Sequence, residues 1–492
     1  MSEINEGKRP LVKYINRQQM AWSTVDVEQL IDQDHRARVI WELVGKLDLS
    51  RFYDAIKSRE EKGGCPAHSP QLLISLWVYA LTLGINSARE IQRRCEWDPA
   101  FRWLTGLEVV NYHTLSDFRV EKQEAADELF SQLLAVLSSE GLVNLEQVTL
   151  DGTKIKAQAS GKSFRREKTL QEHLEWARQR VKEVESENRE EISQRVAKAQ
   201  QRARREKQER LELALKELEK VREQKEGEEK KEARASSSDP EARIMKQSGG
   251  GFAPSYNTQI STDTANGIIV DVEVMQAGND YDQLLPAVER IAERLGKLPQ
   301  QVVVDGGFIR RENVEGMARK KVDLLGPLAD DAGKANRNGA RFGAEQFQYD
   351  ASEDRYVCPA GKHLSYEGKQ QKDGRTYYKY KARRQDCRHC VLRRQCCGKN
   401  KKHGRSVVRS EESAAMVAFR RKMESAEAKA KYRIRAPMAE FRNCWIKSKL
   451  GLWLFHVRGL ARVQAEALWV CLTHNLQQWM RWRQQKMGLA TV

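Results

Sequence analysis

The stretch Val302-Val303-Val304-Asp305-Gly306-Gly307 decides the fold class of the second half of this chain. An uninterrupted apolar strand is typical of the buried centre of a parallel sheet. Asp305 ends that strand, which places its carboxylate at the carboxyl edge of the sheet, where ligands bind in open α/β folds. A predicted helix over about 282–295 precedes it, after strand patterns at 256–262 and 268–275. Strands alternating with a helix predict an α/β domain.

Two further carboxylates have comparable settings. Residues 148–152, Val-Thr-Leu-Asp-Gly, alternate like a strand that brings Asp151 to a turn. Glu440 follows Pro437, which suits a helix start, and Lys447 lies two turns later on nearly the same face. Each acid alone also fits a turn, a cap or a surface position. Two strand aspartates and a helix glutamate together can hold a pair of Mg²⁺ ions for phosphoryl transfer.

The composition favours a polyanionic partner. The 492 residues carry a net charge of +17 and a sequence pI of about 9.4, which indicates nucleic acid first and an anionic membrane second. A hydrophobic fraction of 40% excludes a wholly disordered chain, and the length predicts roughly two to four domains. The longest mainly apolar stretch, 72–85, is too short for a membrane span, and the N-terminus lacks a signal-peptide pattern. The sequence therefore predicts a basic intracellular protein.

Residues 1–140 have the pattern of an all-helical domain. Ser69-Pro70 is a typical helix start, and Ser87 can cap a second helix after a turn at 84–86. Short helices, tight turns and exposed basic residues indicate a helix-turn-helix-like DNA-binding domain. A small helical bundle with a solvated basic face is the alternative. The candidate DNA contacts in this domain are Arg89, Arg93 and Arg119.

Residues 164–235 form a strongly charged segment dominated by Glu, Lys, Arg and Gln. Apolar residues recur in it at irregular helical steps, which predicts a long helical arm, or a helical hairpin, with a thin apolar seam. A solvated helix, a partly disordered linker and a dimerising coiled coil fit the same pattern. Whether the arm contacts DNA or a partner stays open.

Residues 345–405 form a Cys-rich segment with basic clusters. One CxxC pair with flanking single cysteines suits a tetrahedral structural zinc site with four thiolates. The candidate ligands are Cys358, Cys387, Cys390 and Cys396. Cys397 can replace Cys396, and His389 is a weaker option. A set of free thiols under reducing conditions is the alternative.

Several stretches, in this order, resemble bacterial insertion-sequence DDE transposases, and the resemblance covers nearly the whole chain. Residues that resemble the helical DNA-binding domain of that family are 69–73, 88–91, 101–104 and 114–119. Residues 150–154 resemble its first catalytic strand, and 304–308 resemble its second catalytic block. The third block is a Tyr, Arg, Glu, Lys signature on a helix, matched here by Tyr432, Arg435, Glu440 and Lys447. Four residues separate Arg435 from Glu440, where the commonest form of the signature has three.

The resemblance implies a fold. It implies an α/β RNase H-like catalytic core with an all-α N-terminal domain, a long helical arm and a Cys-rich zinc-ribbon-like insertion. The implied ranges are 1–140 for the helix-turn-helix-like DNA-binding domain, 141–478 for the DDE catalytic domain, 164–235 for the arm, 345–405 for the insertion and 479–492 for a basic tail.

The resemblance also implies a catalytic site. In it, Asp151, Asp305 and Glu440 would bind two Mg²⁺ or Mn²⁺ ions. One ion would activate water to nick the element's ends, and the released 3′-hydroxyl would then attack a target phosphodiester. The implied DNA contacts around the acids are Lys154, Tyr432, Arg435 and Lys447. Relatives carry a similar Cys insertion between the second and third blocks, so a structural Zn²⁺ is implied as well.

The function implied is that of a DNA transposase of an insertion sequence, which binds element ends, cleaves DNA and transfers strands. Its partners would be the terminal repeats, the target DNA and a second copy of the chain in a synaptic homodimer, without a membrane. The expected location is the bacterial cytoplasm, at the nucleoid. Two alternatives stay open. A non-catalytic or domesticated DNA-binding protein needs no carboxylate triad, and a metal-dependent nuclease without strand transfer needs the same triad.

Overall fold

The computed structural model describes most of the chain. The described residues are 24–54, 56, 66–186, 194–327, 342–343, 346–372, 375–397, 403–410 and 413–486. Residues 1–23 of the expected N-terminal domain and 487–492 of the expected tail therefore lie outside the described residues.

Strands occur in two main groups, one before residue 330 and one after residue 345. In chain order they are β1 (Gln147–Lys156), β2 (Phe164–Arg165), β3 (Ala235–Ser236), β4 (Arg243–Lys246), β5 (Phe252–Asp263), β6 (Ile268–Met275), β7 (Gln301–Val303), β8 (Asp323–Leu325), β9 (Gln348–Asp350), β10 (Arg355–Val357), β11 (His363–Lys372), β12 (Arg375–Ala382) and β13 (Ser406–Ser410).

Helices surround both groups of strands. In chain order the α-helices are α1 (Arg36–Gly45), α2 (Ser50–Asp54), α3 (Pro70–Thr82), α4 (Ala88–Trp97), α5 (Pro99–Thr105), α6 (Tyr112–Glu121), α7 (Gln123–Ser139), α8 (Glu167–Ser186), α9 (Gln194–Glu223), α10 (Leu284–Leu295), α11 (Arg311–Arg319), α12 (Arg384–Arg388), α13 (Arg393–Cys397), α14 (Ala414–Glu424), α15 (Ala426–Tyr432), α16 (Phe441–Ser448) and α17 (Leu460–Lys486). Short 3-10 helices lie at Val27–Leu30, Gly161–Ser163, Gly227–Glu232 and Gly306–Phe308, and a π-helix lies at Ala436–Glu440.

The larger sheet is mixed. Its strand order is β4-β5-β1-β7-β8, and β6 pairs with the second half of β5. β5 runs antiparallel to β1 and to β6, whereas β7 runs parallel to β1 and to β8. The predicted strands at 256–262 and 268–275 are thus confirmed as an antiparallel pair, and the predicted apolar strand is confirmed as the buried β7. The fold class is mixed α/β, with the parallel strands at one side of the sheet.

The buried apolar residues around this sheet form two clusters. One cluster, which includes Val148 and β6, packs on α17 and on the N-terminal helices α1 and α3 to α7. The other cluster, which includes Leu150 and β7, packs on α10, α11, α14 and α15. Because α17 lies between β6 and the N-terminal helices, these helices and the sheet share one continuous apolar core.

The N-terminal helices begin where the sequence indicates. Helix α3 has Pro70 in its first turn and is buried almost all round, and the Ser87 hydroxyl accepts a hydrogen bond from the Glu90 backbone at the start of α4. The indole of Trp77 donates to the Leu115 carbonyl oxygen at 3.0 Å, which joins α3 to α6. These short helices therefore form one packed unit.

Residues between β1 and β4 form a helical hairpin of α8 and α9. The seam between these helices buries Leu170, Leu174, Ala177, Leu211, Ala214 and Leu218. At its base, the buried Glu217 of α9 accepts hydrogen bonds from Arg243 of β4 and, at 2.9 Å, from the Gln276 amide. The hairpin, one of the forms predicted for the charged arm, is therefore attached to the sheet by a buried carboxylate.

A second, smaller sheet lies between β8 and α14. Its order is β13-β12-β11-β10-β9, all antiparallel, and α12 and α13 lie beside it. Its own core contains Tyr356, Tyr380 and Val407 with two cysteines. This sheet occupies the predicted Cys-rich insertion.

Two predictions fail in this part of the structure. Residues 479–486 are not a separate tail but the last turns of α17, where Trp479 and Met480 are buried. Arg119, predicted to contact DNA, is only 3% exposed: its guanidinium lies 4.3 Å from the Trp77 ring and 3.6 Å from a Glu466 oxygen. The cause is the same in both cases, because α17 covers the N-terminal helices. Among the described helices, none is long and apolar enough to cross a membrane.

The Arg119–Glu466 pair yields a prediction about stability. Arg119→Met removes the cation that the buried Glu466 carboxylate contacts on α6 and leaves the hydrogen bonds with His456, so we expect the free energy of unfolding to fall by about 3 kcal/mol. The double variant Arg119→Met/Glu466→Leu should recover most of that loss, because no unpaired charge remains. Urea unfolding measures both, with the exposed Arg93→Met as control, expected within about 0.5 kcal/mol of wild type. A single variant as stable as its control would contradict a buried ion pair.

Candidate active site

Asp151 and Asp305 lie at the same level on neighbouring parallel strands. The register pairs Thr149 of β1 with Val303 of β7, and each aspartate comes two residues after its member of that pair. Asp305 follows the strand in an extended conformation, and its Oδ1 accepts a hydrogen bond from the Gly307 backbone at 2.8 Å. The two predicted aspartates therefore lie side by side, Asp305 just beyond β7 and Asp151 in the middle of β1. The predicted turn after Asp151 is wrong, because β1 continues through Gly152 to Lys156.

Glu440 reaches the same site from a π-helix. The predicted helix start at Pro437 is confirmed, but the first turn is a π-helix: residues Ala436–Glu440 form a π-helix that continues directly into α16. In an α-helix, residues five apart such as Arg435 and Glu440 would lie about 140° apart around the axis. A π-helix closes i to i+5 hydrogen bonds and so brings these two residues to one face. The π-helix thus accommodates the additional residue between Arg435 and Glu440, and both of these side chains remain at the site.

The Arg435 guanidinium lies between the three predicted acids. Its Nη2 donates to Asp151 Oδ1 at 2.8 Å and lies 3.9 Å from Asp305 Oδ2, and its Nη1 lies 3.6 Å from Glu440 Oε1. The Arg435 side chain is 15% exposed, whereas that of Glu440 is 65% exposed. One buried cation thus links carboxylates from two strands and a helix.

Asp151 is the most buried of these acids. Its side chain is 13% exposed, and its Oδ2 accepts a hydrogen bond from the Asn443 amide at 2.8 Å. Burial raises the pKa of Asp151, Arg435 opposes this shift, and the nearby negative charges of Asp305 and Asp280 add to it, so that the pKa is about 6. The proton of Asp151 is therefore held more tightly than that of an ordinary aspartate.

Lys447 and Tyr432 are half-buried beside the acids. Burial lowers the pKa of Lys447, and the negative charge of Asp151 opposes that shift. Burial also raises the pKa of Tyr432, whose neighbours include Arg435 and Asp305. Lys154 lies on β1 three residues beyond Asp151, opposite Asn257 of β5, and is partly exposed. The structure thus brings all four members of the Tyr, Arg, Glu, Lys signature to one region.

Two site residues were missed by the sequence analysis. Asn443, which bonds to Asp151, lies three residues after Glu440, so helical spacing could have identified it. Asp280 lies in the loop before α10 and acts electrostatically on Asp151. A loop aspartate carries no spacing signal, so no sequence pattern selects it.

The two remaining arginines of the N-terminal helices are exposed. The Arg89 guanidinium lies 5.0 Å from the ring of Tyr112, and Arg93 lies 3.3 Å from Glu90. Both side chains are therefore accessible from solvent, unlike that of Arg119.

Five cysteines converge on one small cavity of about 20 Å³ in the second sheet domain. The cysteines that line it are Cys358, Cys387, Cys390, Cys396 and Cys397, and His389 is not among the lining residues. Backbone N–H groups of Lys362 and Arg405 donate to Cys358 and Cys387 sulfur atoms at 3.3 and 3.5 Å. Hydrogen bonds from Cys396 and Cys387 lower the pKa of Cys397 to about 6, against the effect of burial.

The donor chemistry of both sites suits metals, although no complete cluster is formed. Across the described ranges, no group of three or more His, Cys, Asp or Glu side chains is gathered closely enough to hold an ion. At the acidic site, Arg435 stands between the carboxylates. Carboxylate oxygens are nevertheless the ligands that Mg²⁺ and Mn²⁺ prefer, and thiolates are those of structural zinc.

Known families match both ends of the chain. Residues 357–480 match the family model described as a transposase DDE domain, and residues 25–121 match a transposase domain (DUF772). These two matches support a DNA transposase. They support, more specifically, an insertion-sequence DDE transposase. The DDE match contains Glu440, whereas Asp151 and Asp305 lie outside both matched ranges.

More distant comparisons add little. No curated protein matches the chain. A cryo-EM structure of a piggyBac transposase synaptic complex with hairpin DNA aligns over 92% of this chain and 84% of that chain, with 9% sequence identity and a TM-score of 0.24. That score is too low to establish a common fold.

The raised pKa of Asp151 predicts a pH-dependent stability in metal-free protein. Between the ordinary value of 3.8 and the folded value of about 6, the folded state binds more protons than the unfolded state, so stability falls as pH rises. The whole shift corresponds to about 3 kcal/mol. We therefore expect Asp151→Asn, which cannot ionise, to gain stability relative to wild type by up to about that amount at neutral pH.

Urea unfolding in EDTA from about pH 4 to pH 7 checks this expectation. The stability difference between the variant and wild type should be small at the acidic end and grow through the window. A difference that stays constant across the range would contradict the raised pKa.

Proposed function

We propose that this transposase cuts and joins DNA with Asp151, Asp305 and Glu440 as ligands of a pair of divalent ions. The observation that carries the proposal is the contact of one guanidinium, that of Arg435, with carboxylates from β1, from the end of β7 and from the π-helix. A region that gathers three acids around one cation is suited to bind further cations. Mg²⁺ or Mn²⁺ fits the all-oxygen donor set.

The chain's own groups would prepare the site and hold the DNA. Bound ions would supply Lewis-acid stabilisation of the attacking and leaving oxygens in a phosphoryl displacement. Asn443 and Arg435 orient Asp151 through its two oxygens. We propose that the half-buried Lys447 and Tyr432 contact phosphates around the acids. Lys154 stays a predicted DNA contact, because it lies three residues after Asp151 on β1 and its side chain projects from the opposite face of the strand. Phosphate contacts of this kind fix the position of a DNA strand without reading its sequence.

An RNase H-like core is part of the proposal. The supporting observation is the sheet, in which β6, β5 and β1 are antiparallel and β7 and β8 follow in parallel on the other side. The arm of α8 and α9 is inserted after β1, and the second sheet is inserted between β8 and α14. We accordingly propose a catalytic domain from residue 141 to Lys486 with these two insertions, after a DNA-binding domain that ends at about residue 140.

The Cys-rich insertion is proposed to hold a structural Zn²⁺. The supporting observations are the convergence of Cys358, Cys387, Cys390 and Cys396 on one cavity and the two backbone N–H···S hydrogen bonds. Donors to ligand sulfur atoms are a usual outer layer of thiolate metal sites. Cys397 stays an alternative fourth ligand, because it lines the same cavity.

The proposed DNA partners are the element's terminal repeats and a target duplex. The exposed Arg89 and Arg93 are candidates for binding the repeats, because they project from neighbouring turns of α4. Two element ends must be held together for strand transfer, which is the reason to propose a homodimer in the synaptic complex. The proposed location is the cytoplasm, at the nucleoid.

The test is cleavage of a supercoiled plasmid that carries the element's own ends. We expect Mg²⁺-dependent cuts at those ends and joining to a target plasmid, with cleavage reduced at least about 1,000-fold by Asp305→Asn, since a metal ligand would be lost. The control is Asp282→Asn, an 84% exposed carboxylate that lies 3.9 Å from Arg310 and should cleave like wild type.

Each of the other outcomes would indicate a different function for this protein. End binding without cleavage in Mg²⁺ or Mn²⁺ would favour a DNA-binding protein. Cleavage without joining would favour a metal-dependent nuclease. Cleavage that survives Asp305→Asn would contradict the proposed metal ligands.

A further inference from the structure

Asp280 brings a fourth carboxylate to the acidic site. It lies in the loop between β6 and α10, directly over Gly152, the residue after Asp151. A Cβ atom on Gly152 would overlap the Asp280 carboxylate and the Gln259 amide. The close approach of the loop to β1 therefore depends on glycine at this position.

The two oxygens of Asp280 have different surroundings. Oδ1 accepts hydrogen bonds from the Asn257 amide at 2.8 Å and from the Gln259 amide, both on β5. In the described part of the chain, no donor bonds to Oδ2. That oxygen lies 3.9 Å from the point where a Cβ on Gly307 would stand, and Asp305 Oδ1 lies 3.0 Å from the same point. Oδ1 thus fixes the carboxylate, while Oδ2 faces the turn that carries Asp305.

Within the ranges that the structure describes, the buried amide oxygen of Gln259 lacks a hydrogen-bond partner, and this is a second, independent observation beside Asp280. It is 0% exposed, and its Nε2 donates to Asp280, but its Oε1 has no hydrogen-bond partner among the described residues. A buried carbonyl oxygen without a donor is costly, so such an oxygen usually bonds to a water or a cation. Because both atoms belong to one amide, the unpaired oxygen lies beside the Asp280 carboxylate.

The charges of the site also favour a bound cation. Four carboxylates, those of Asp151, Asp280, Asp305 and Glu440, surround this edge of the sheet. Arg435 contacts three of them, and no ion pair joins it to Asp280. Like charges gathered in one region are stabilised by a further cation, and carboxylate oxygens select a hard divalent ion.

We propose that Asp280 is a further ligand of the divalent ion held by Asp305. The inference rests on the proposed function, since it requires that Asp305 bind an ion. It makes Asp280 part of the metal site, in addition to the three acids of the DDE signature. Asn257 and Gln259 are then positioning residues, which hold Oδ1 so that Oδ2 faces the ion.

The deciding variant is Asp280→Asn in the full chain. Its Oδ1 can still accept both amide hydrogen bonds, while an amide nitrogen that cannot bind a cation replaces Oδ2. Electron paramagnetic resonance titration with Mn²⁺, without DNA, measures binding independently of activity. We expect the dissociation constant to rise at least about 10-fold, and we expect Asp282→Asn, two residues away and exposed, to bind like wild type.

Asp305→Asn separates the two proposals. If Asp305→Asn loses Mn²⁺ binding and Asp280→Asn binds like wild type, the role of Asp280 is overturned and the proposed function stands. If Asp305→Asn also binds like wild type, the proposed metal site itself fails.

A second variant covers the case in which Asp280→Asn lowers the melting temperature of the metal-free protein. Asp280→Glu keeps the charge but moves its oxygens by one methylene group, so a direct ligand predicts weaker Mn²⁺ binding. Unchanged affinity in Asp280→Glu, together with a destabilised Asp280→Asn, would assign Asp280 a structural role only.

Discussion

The pairing of Asp151 with Arg435 is the interaction on which the site depends. It joins the centre of the sheet to the helix that carries the last block of the signature, across 284 positions of sequence. Without the guanidinium, a carboxylate that is 13% exposed would lie beside Asp305 and Asp280 with only an amide as donor. Burial of the pair holds β1 and the π-helix at a fixed separation, and that separation determines where Glu440 stands.

The π-helix shows why spacing alone could not decide the role of Arg435. The sequence shows one residue more than the commonest signature between Arg435 and Glu440, and α-helical geometry would turn the two away from each other. A π-helix is the local distortion that restores their alignment at the cost of less favourable backbone hydrogen bonds. Such distortions are retained where a site requires them, so the position of this one is itself consistent with a functional helix.

The predictable part of the structure is the part governed by local pattern. The apolar run before Asp305, the alternation before Asp151 and the cap at Ser87 each specify an element from a few adjacent residues. Tertiary packing decided the rest. Arg119 has the sequence setting of a surface arginine, but α17 covers it, and Asp280 enters the site only because Gly152 leaves space for a loop more than a hundred residues away.

One continuous apolar core joins the N-terminal helices, where DNA binding is proposed, to the sheet that carries Asp151. Helix α17 packs on β6 and on α3, α6 and α7, so α4, the helix that carries Arg89 and Arg93, shares its apolar core with the sheet that carries Asp151. Side chains in a buried core interdigitate and have few alternative arrangements, so the helices and strands that share the core keep a fixed position relative to one another. DNA held by α4 would therefore lie at a fixed distance from Asp151. On this view, the buried Arg119–Glu466 pair belongs to the same connection: it fixes α6 on α17, while the exposed arginines remain available for the duplex.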